Sequence, residues 1–268
     1  MIENCFECSE KAVPYKYIRR HIKLILNDND LYEVFLNRFI QYFLEINLSA
    51  TSREWAQQLL NGYTLDTVKQ KHLKNSFSRV FTNDNHFKGL VGEYILSFYY
   101  KYIYNEFLWN YGPKPRSSAE PGIDYIVFIG QEDRLESIKF IVWETKTTQN
   151  NASSRASQIY RFFSVDGSFD ENIDSEIHAI QEKFEDKEDS NLKQVVSNML
   201  LHVVNRDEKL NIGACAVLTE DNTTDDTLKS FENCIPELTN EQRIVKFIFF
   251  DLIETVKTDL KRLIWNRL

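Results

Sequence analysis

Three charged residues stand at the margins of two apolar runs that otherwise suit a buried sheet. In "EPGIDYIVFIGQEDRLESIKFIVWETKTTQ", residues 120–149, Asp124 opens the first run and Glu144-Thr145-Lys146 closes the second. A strand alternates its side chains between faces, so Glu144 and Lys146 address one side while Trp143 and Thr145 address the other. The polar "GQEDRLE" joins the runs in hairpin fashion. Antiparallel pairing across it sets the start of the first strand beside the end of the second, bringing Asp124 close to Glu144. Two carboxylates packed together repel and raise one another's pKa, whereas a divalent ion bound through hard oxygen ligands keeps both ionised. Magnesium suits such a donor set better than zinc. A metal so held polarises a phosphoryl oxygen and lowers the pKa of a bound water, and a neighbouring lysine holds the attacking hydroxide or offsets developing charge. This is equipment for phosphodiester hydrolysis. The alternative is a surface salt bridge between Glu144 and Lys146, which contributes little stability and no chemistry.

Those residues need a scaffold, and its outline is legible. The first 80 residues read as helical, with "DLYEVFLNRFIQYFLEI" at helical spacing and "SREWAQQLLNG" opening on a serine cap and closing on Gly62. From His86 to about Phe107 the chain is apolar on most of a helix circumference, and its one conspicuous acid, Glu93, needs a reason to be there. In "GPKPRSSAEPG" three of the five prolines and two glycines form a loop that delivers the chain to strands at about 123–129 and 138–146. A core helix follows in "NLKQVVSNMLLHVVN". Beyond it come a buried strand in "NIGACAVLT", a short helix in "TLKSFENC", a strand in "RIVKFIFFDL" and a basic amphipathic helix with Lys257, Lys261 and Arg262. This order specifies an α/β fold: a mixed sheet flanked by helices over residues 86–268, preceded by an α-helical N-terminal region over residues 1–85.

Composition bounds the remaining possibilities. With 268 residues, 43% hydrophobic and 13% aromatic, the chain can bury a substantial core. No basic head precedes an apolar stretch, and no run of roughly 18 apolar residues occurs, which speaks against a secretion signal or membrane span and for a cytoplasmic protein. The net charge of −8 disfavours a generally basic surface but does not remove a locally basic groove. Much of the acid is concentrated between Val165 and Ser190, where ten Asp or Glu face two Lys. Ile173, Ile177, Ile180 and Phe184 make that segment a solvated helix face in the plain reading. In the sharper one its charge repels DNA or docks on a basic partner. Cys5 and Cys8 form a lone Cys-x-x-Cys, weak evidence for zinc, and the five histidines are scattered without metal-binding spacing. "SFYYKYIY" reads as core rather than as a stacking platform. Lys101, Lys114, Arg116 and Arg155 are candidate phosphate contacts.

The acid on one strand, acid-x-lysine on the next and helical glutamate upstream resemble the PD-(D/E)xK nuclease superfamily, over roughly residues 86–220. Ile123 stands where the name-giving proline often does, and 20 residues separate the two acids, which a hairpin accommodates. The resemblance implies a restriction-endonuclease-like core in which Asp124, Glu144 and the carbonyl of Thr145 hold Mg2+, with Mn2+ substituting, Lys146 serves the water, and Glu93 orients the site or binds a second ion. Gln158, in "SQIYRF", looks like the glutamine some exonuclease branches place near the substrate. More narrowly, the helical lead-in, "GLVGEYIL" and "GIDYIVF…WETK" look like the HamA family, effector nucleases of the Hachiman anti-phage system. That likeness implies DNA as substrate and a heterodimeric complex with a helicase that holds cleavage in check. A catalytically inactive DNA-binding or helicase-anchoring subunit and an RNA-cleaving toxin are the competing expectations.

Overall fold

The computed structural model describes residues 2–26, 28–81, 83–113, 123–148, 152–164, 167–188, 190–219, 223 and 226–268. In chain order the strands are β1 (Phe6–Glu10), β2 (Ile18–Leu24), β3 (Phe107–Tyr111), β4 (Tyr125–Ile129), β5 (Lys139–Thr147), β6 (Leu210–Leu218) and β7 (Arg243–Phe249). They form one sheet in the order β1-β2-β7-β6-β5-β4-β3. The four inner strands β2, β7, β6 and β5 run parallel. Each side is closed antiparallel, by β1 beyond β2 and by β4 and β3 beyond β5. This is the mixed sheet expected from the sequence.

The helices are α1 (Asn29–Asn47), α2 (Ala50–Leu60), α3 (Thr67–Phe81), α4 (Asp84–Tyr102), α5 (Ala152–Phe163), α6 (Phe169–Glu182), α7 (Asn191–Ser197), α8 (Met199–Val204) and α9 (Ile253–Leu263). Strand alternation divides the core in two. Tyr125, Val127, Ile141, Trp143, Cys215 and Val217 pack under α1, α3, α4 and α9, while Ile126, Phe128, Phe140, Val142, Ala214 and Ala216 pack under α5 to α8. Both faces are covered, which is why β5, β6 and β7 read as almost unbroken apolar runs. Side-chain caps set several helix starts: Asp28 accepts from Asp30, Ser49 from Ser52 and Asn83 from His86. Stacked and edge-on rings dominate the α1–α4 contact, with Phe98 at 5.7 Å from Phe35 and 5.6 Å from Phe39, so Phe98→Ala would cost about 3–5 kcal/mol.

Several expectations are corrected. Residues 6–24, read as part of a helical lead-in, are the β1–β2 hairpin; a short 3-10 turn over Ile2–Cys5 precedes it, and α-helix begins at α1. The cap of α2 is Ser49 rather than Ser52, although Gly62 does close it with a left-handed φ of +86°. The helix through Glu93 ends at Tyr102, and Phe107–Tyr111 is an edge strand pairing with β4. "NLKQVVSNMLLHVVN" is two helices broken at Asn198, and the helix expected in "TLKSFENC" is one 3-10 turn over Lys229–Asn233.

Beneath α4, Lys246 is fully buried and its Nζ lacks a hydrogen-bond partner. Four rings surround that nitrogen, with centroids at 3.8 Å (Tyr100), 4.5 Å (Tyr99), 5.3 Å (Trp143) and 5.4 Å (Tyr104). Ring faces favour a desolvated cation by about 2 kcal/mol, but removing an ammonium from water costs several kcal/mol. Desolvation wins, and Arg20 adds to it: the pKa of Lys246 is driven well below its ordinary value.

Candidate functional site

β5 carries two of the site's side chains by simple alternation. Glu144 and Lys146 project to the α5 side, Trp143 to the α4 side, and the Lys146 ammonium donates to Glu144 Oε1. β4 pairs antiparallel with β5, Tyr125 opposite Trp143, so Asp124 stands next to Glu144 just before β4 begins. A hydrogen bond fixes it there, the Thr145 amide donating to Asp124 Oδ2 at 2.7 Å. Lys146 Nζ lies 4.0 Å from the same oxygen. One ammonium therefore bridges two carboxylates.

Glu93 comes from the opposite side of the sheet. α4 reaches β5 closely because Gly92 has no side chain: a Cβ there would sit 2.0 Å from Thr147 Oγ1 and 3.3 Å from a methyl of Val217. The same hydroxyl donates to the Gly89 carbonyl at 3.4 Å. Glu93 follows Gly92 at this contact, is partly buried, and its charge reaches Lys146. Gly92, set directly before the lone acid of an apolar helix, was the available sequence signal for this approach; a Cβ at Gly89 would meet nothing.

The electrostatics follow from burial. Glu144 is 6% exposed, and desolvation, followed by the charge of Asp124, pushes its pKa up to about 8 despite Lys146. Burial alone would lower the pKa of Lys146, but Glu144, Asp124 and Glu93 outweigh it and hold the value above lysine's ordinary one. Glu144 thus holds its proton more tightly than an ordinary carboxyl, and repulsion of this kind is relieved by a bound cation. Among the described residues no group of three or more His, Cys, Asp or Glu side chains is arranged for a metal. The donor set is two carboxylates, which fits magnesium, an ion bound through one or two carboxylates while keeping several waters.

The family model HamA matches residues 3–264 of the 268. The chain belongs to the HamA family. Membership places it in Hachiman anti-phage defence. No curated protein matches the chain. The HamA match spans the N-terminal hairpin, the sheet and α9 alike, so every element that builds the site lies inside it.

The other expected residues fare differently. Arg155 and Gln158 are exposed on α5, the arginine donating to the Gln158 amide oxygen at 3.1 Å. Lys114 and Arg116 lie outside the described residues. Lys101 is corrected as a contact near the site: it lies eight residues beyond Glu93, about 12 Å along the helix, and is ion-paired with Glu45 at 2.5 Å. Cys5 is buried and donates to the Leu31 carbonyl, while Cys8, on the exposed strand β1, approaches the Tyr99 hydroxyl. The acidic stretch forms α6, whose Ile173, Ile177 and Ile180 are buried while Asp170, Glu171, Asp174 and Glu182 are exposed.

Proposed function

We propose that this chain is a metal-dependent DNA nuclease, the effector of a Hachiman complex that works in the cytoplasm with a helicase subunit restraining it. What supports the reading is one juxtaposition: Asp124, Glu144 and Lys146 on one face of adjacent strand ends, with Glu93 acting on Lys146 from α4. Asp124, Glu144 and the Thr145 carbonyl would hold Mg2+ or Mn2+, and the ion would polarise the scissile phosphate and acidify a water. The chain's own residues have the remaining tasks. Lys146, kept protonated by three acids, steadies negative charge on the attacking oxygen and the phosphoryl group. Glu93 keeps that ammonium charged and oriented. Thr145 holds the Asp124 carboxylate through its amide.

The test is cleavage of labelled single-stranded and duplex DNA by the purified chain, alone and with its helicase, across magnesium and manganese concentrations. Cleavage that is lost in Glu144→Ala and Lys146→Ala, and reduced when the helicase is bound, is the expected result. Intact DNA under all conditions, with no phenotype from either substitution in phage challenge, would show a non-catalytic subunit. Cleavage confined to RNA would show a ribonuclease toxin.

A further inference from the structure

A second feature lies on the same face and edge of the sheet as the acids. β5 and β6 are parallel neighbours, so the segments that leave their carboxyl ends emerge together. α5 follows β5, and residues 226–233 follow β6. Ile159 and Phe163 of α5 meet Phe231 in the core layer toward which Glu144 and Lys146 project, with the Phe163 and Phe231 rings 5.7 Å apart. Between these segments is a cavity of about 320 Å³. That is the lower end of the range of about 300–1,000 Å³ typical of sites for small organic groups.

Its lining combines a flat ring with polar groups. Ser157 and Tyr160, three apart on one face of α5, form one wall, and Asp226, Lys229 and Ser230 belong to the other. Tyr160 is 37% exposed, one of few large aromatic residues left so open among the described residues. The Asp226 carboxylate is held in place by the Tyr15 hydroxyl and stands 3.7 Å from Lys229 Nζ. A positioned carboxylate and hydroxyls accept hydrogen bonds from ring nitrogens and exocyclic amines, and an open aromatic face stacks on any base. Lys229, in the facing wall, is the cation nearest to hand for a phosphate contact.

We propose that this cavity is a nucleobase subsite, in which an unpaired base of the strand under attack stacks on Tyr160. The proposal rests on the nuclease reading for its substrate, and it adds the substrate's form: a base enters only when it has left its pair, so single-stranded or opened DNA is taken in preference to intact duplex.

The test uses the full chain and a single-stranded oligonucleotide carrying 2-aminopurine, with calcium replacing magnesium to prevent cleavage. Binding should quench the 2-aminopurine emission. Tyr160→Ala should abolish the quench and weaken single-strand affinity roughly ten-fold, the scale of one lost base–aromatic stack. It should leave duplex affinity and hydrolysis of bis(p-nitrophenyl) phosphate unchanged. Tyr160→Phe should behave as wild type. Ser230→Trp, which fills the cavity from an exposed position, should reproduce the alanine effect. Glu144→Gln should abolish cleavage while keeping the quench; a quench in an unsubstituted chain that cleaves DNA under no metal condition would uphold the subsite and refute the nuclease. Wild-type affinity in Tyr160→Ala, or equal losses on single strand and duplex, would overturn the proposal.

Discussion

The Thr145 amide donates to Asp124 Oδ2 at 2.7 Å, so the acid at the start of β4 is pinned by the backbone between the Glu and Lys of β5. Asparagine can accept the same bond without the charge. Asp124→Asn should therefore melt close to wild type yet lose on the order of 10²-fold or more in kcat, the scale of removing one preorganised charged group. Its Glu144 should also titrate lower, since the nearest repelling charge is gone. A Tm drop comparable to a buried-core mutation would show that Asp124 serves the fold instead.

Glu144 makes the metal-free chain sensitive to pH. Its folded pKa of about 8 exceeds the ordinary carboxylate value, so between roughly pH 4.5 and 8 the folded state binds a proton that the unfolded state has released. Stability contributed by that proton is complete at the acid end and lost as pH rises through 8, amounting to a few kcal/mol at most. In EDTA the melting temperature should decline across this window, and Glu144→Gln should flatten the decline. Magnesium affinity should rise over the same window because the ion displaces the proton. A flat EDTA profile for the wild type would contradict the buried carboxyl.

Gly92→Ala places a methyl 2.0 Å from Thr147 Oγ1, so the Thr147 side chain must turn away from the Gly89 carbonyl or α4 must move off β5. Overpacking of this kind costs about 1–3 kcal/mol. The loss of activity should exceed the loss of stability, because Glu93 moves with α4. Thr147→Ala removes the clashing hydroxyl, so Gly92→Ala/Thr147→Ala should recover most of the melting temperature. Failure of the second change to recover any would place the clash elsewhere.

Lys246→Met should be neutral or stabilising at pH 7. The buried amine has no hydrogen-bond partner, and methionine keeps its length against the rings of Tyr100 and Trp143. A lysine whose folded pKa is depressed below the unfolded one costs stability below the unfolded value, and that cost shrinks as pH rises toward it. The substitution should thus gain most in acid, by about 1–3 kcal/mol, seen in denaturant titrations at pH 5.5 and 9. A large loss at both would mean that the aromatic box holds a cation.

The strands that carry the charged cluster were legible because they obey alternation: "YIVFI" and "FIVWETK" are apolar except where the charges stand. The N-terminal hairpin was not. β1 is an exposed edge with Glu7 and Glu10, and β2 reads "IRRHIKL", its buried Arg19 satisfied only in the tertiary structure by the His21 ring nitrogen and the Phe247 face. The "FLWNY" edge strand was masked for a similar reason, following directly on a helix of the same aromatic composition. Glu93 was legible as an anomaly, but its nearness to Lys146 depends on α4 crossing β5 at Gly92, a meeting that a one-dimensional pattern does not record.

α4 is held at its amino-terminal end by α9: Lys261 donates to Asp84, and Lys88 pairs with Glu254 at 2.8 Å. The last helix of the chain is thus a buttress under a carboxylate encoded far upstream. Shortening the protein from that end, or pulling α9 aside, would slacken Glu93 without touching Asp124, Glu144 or Lys146.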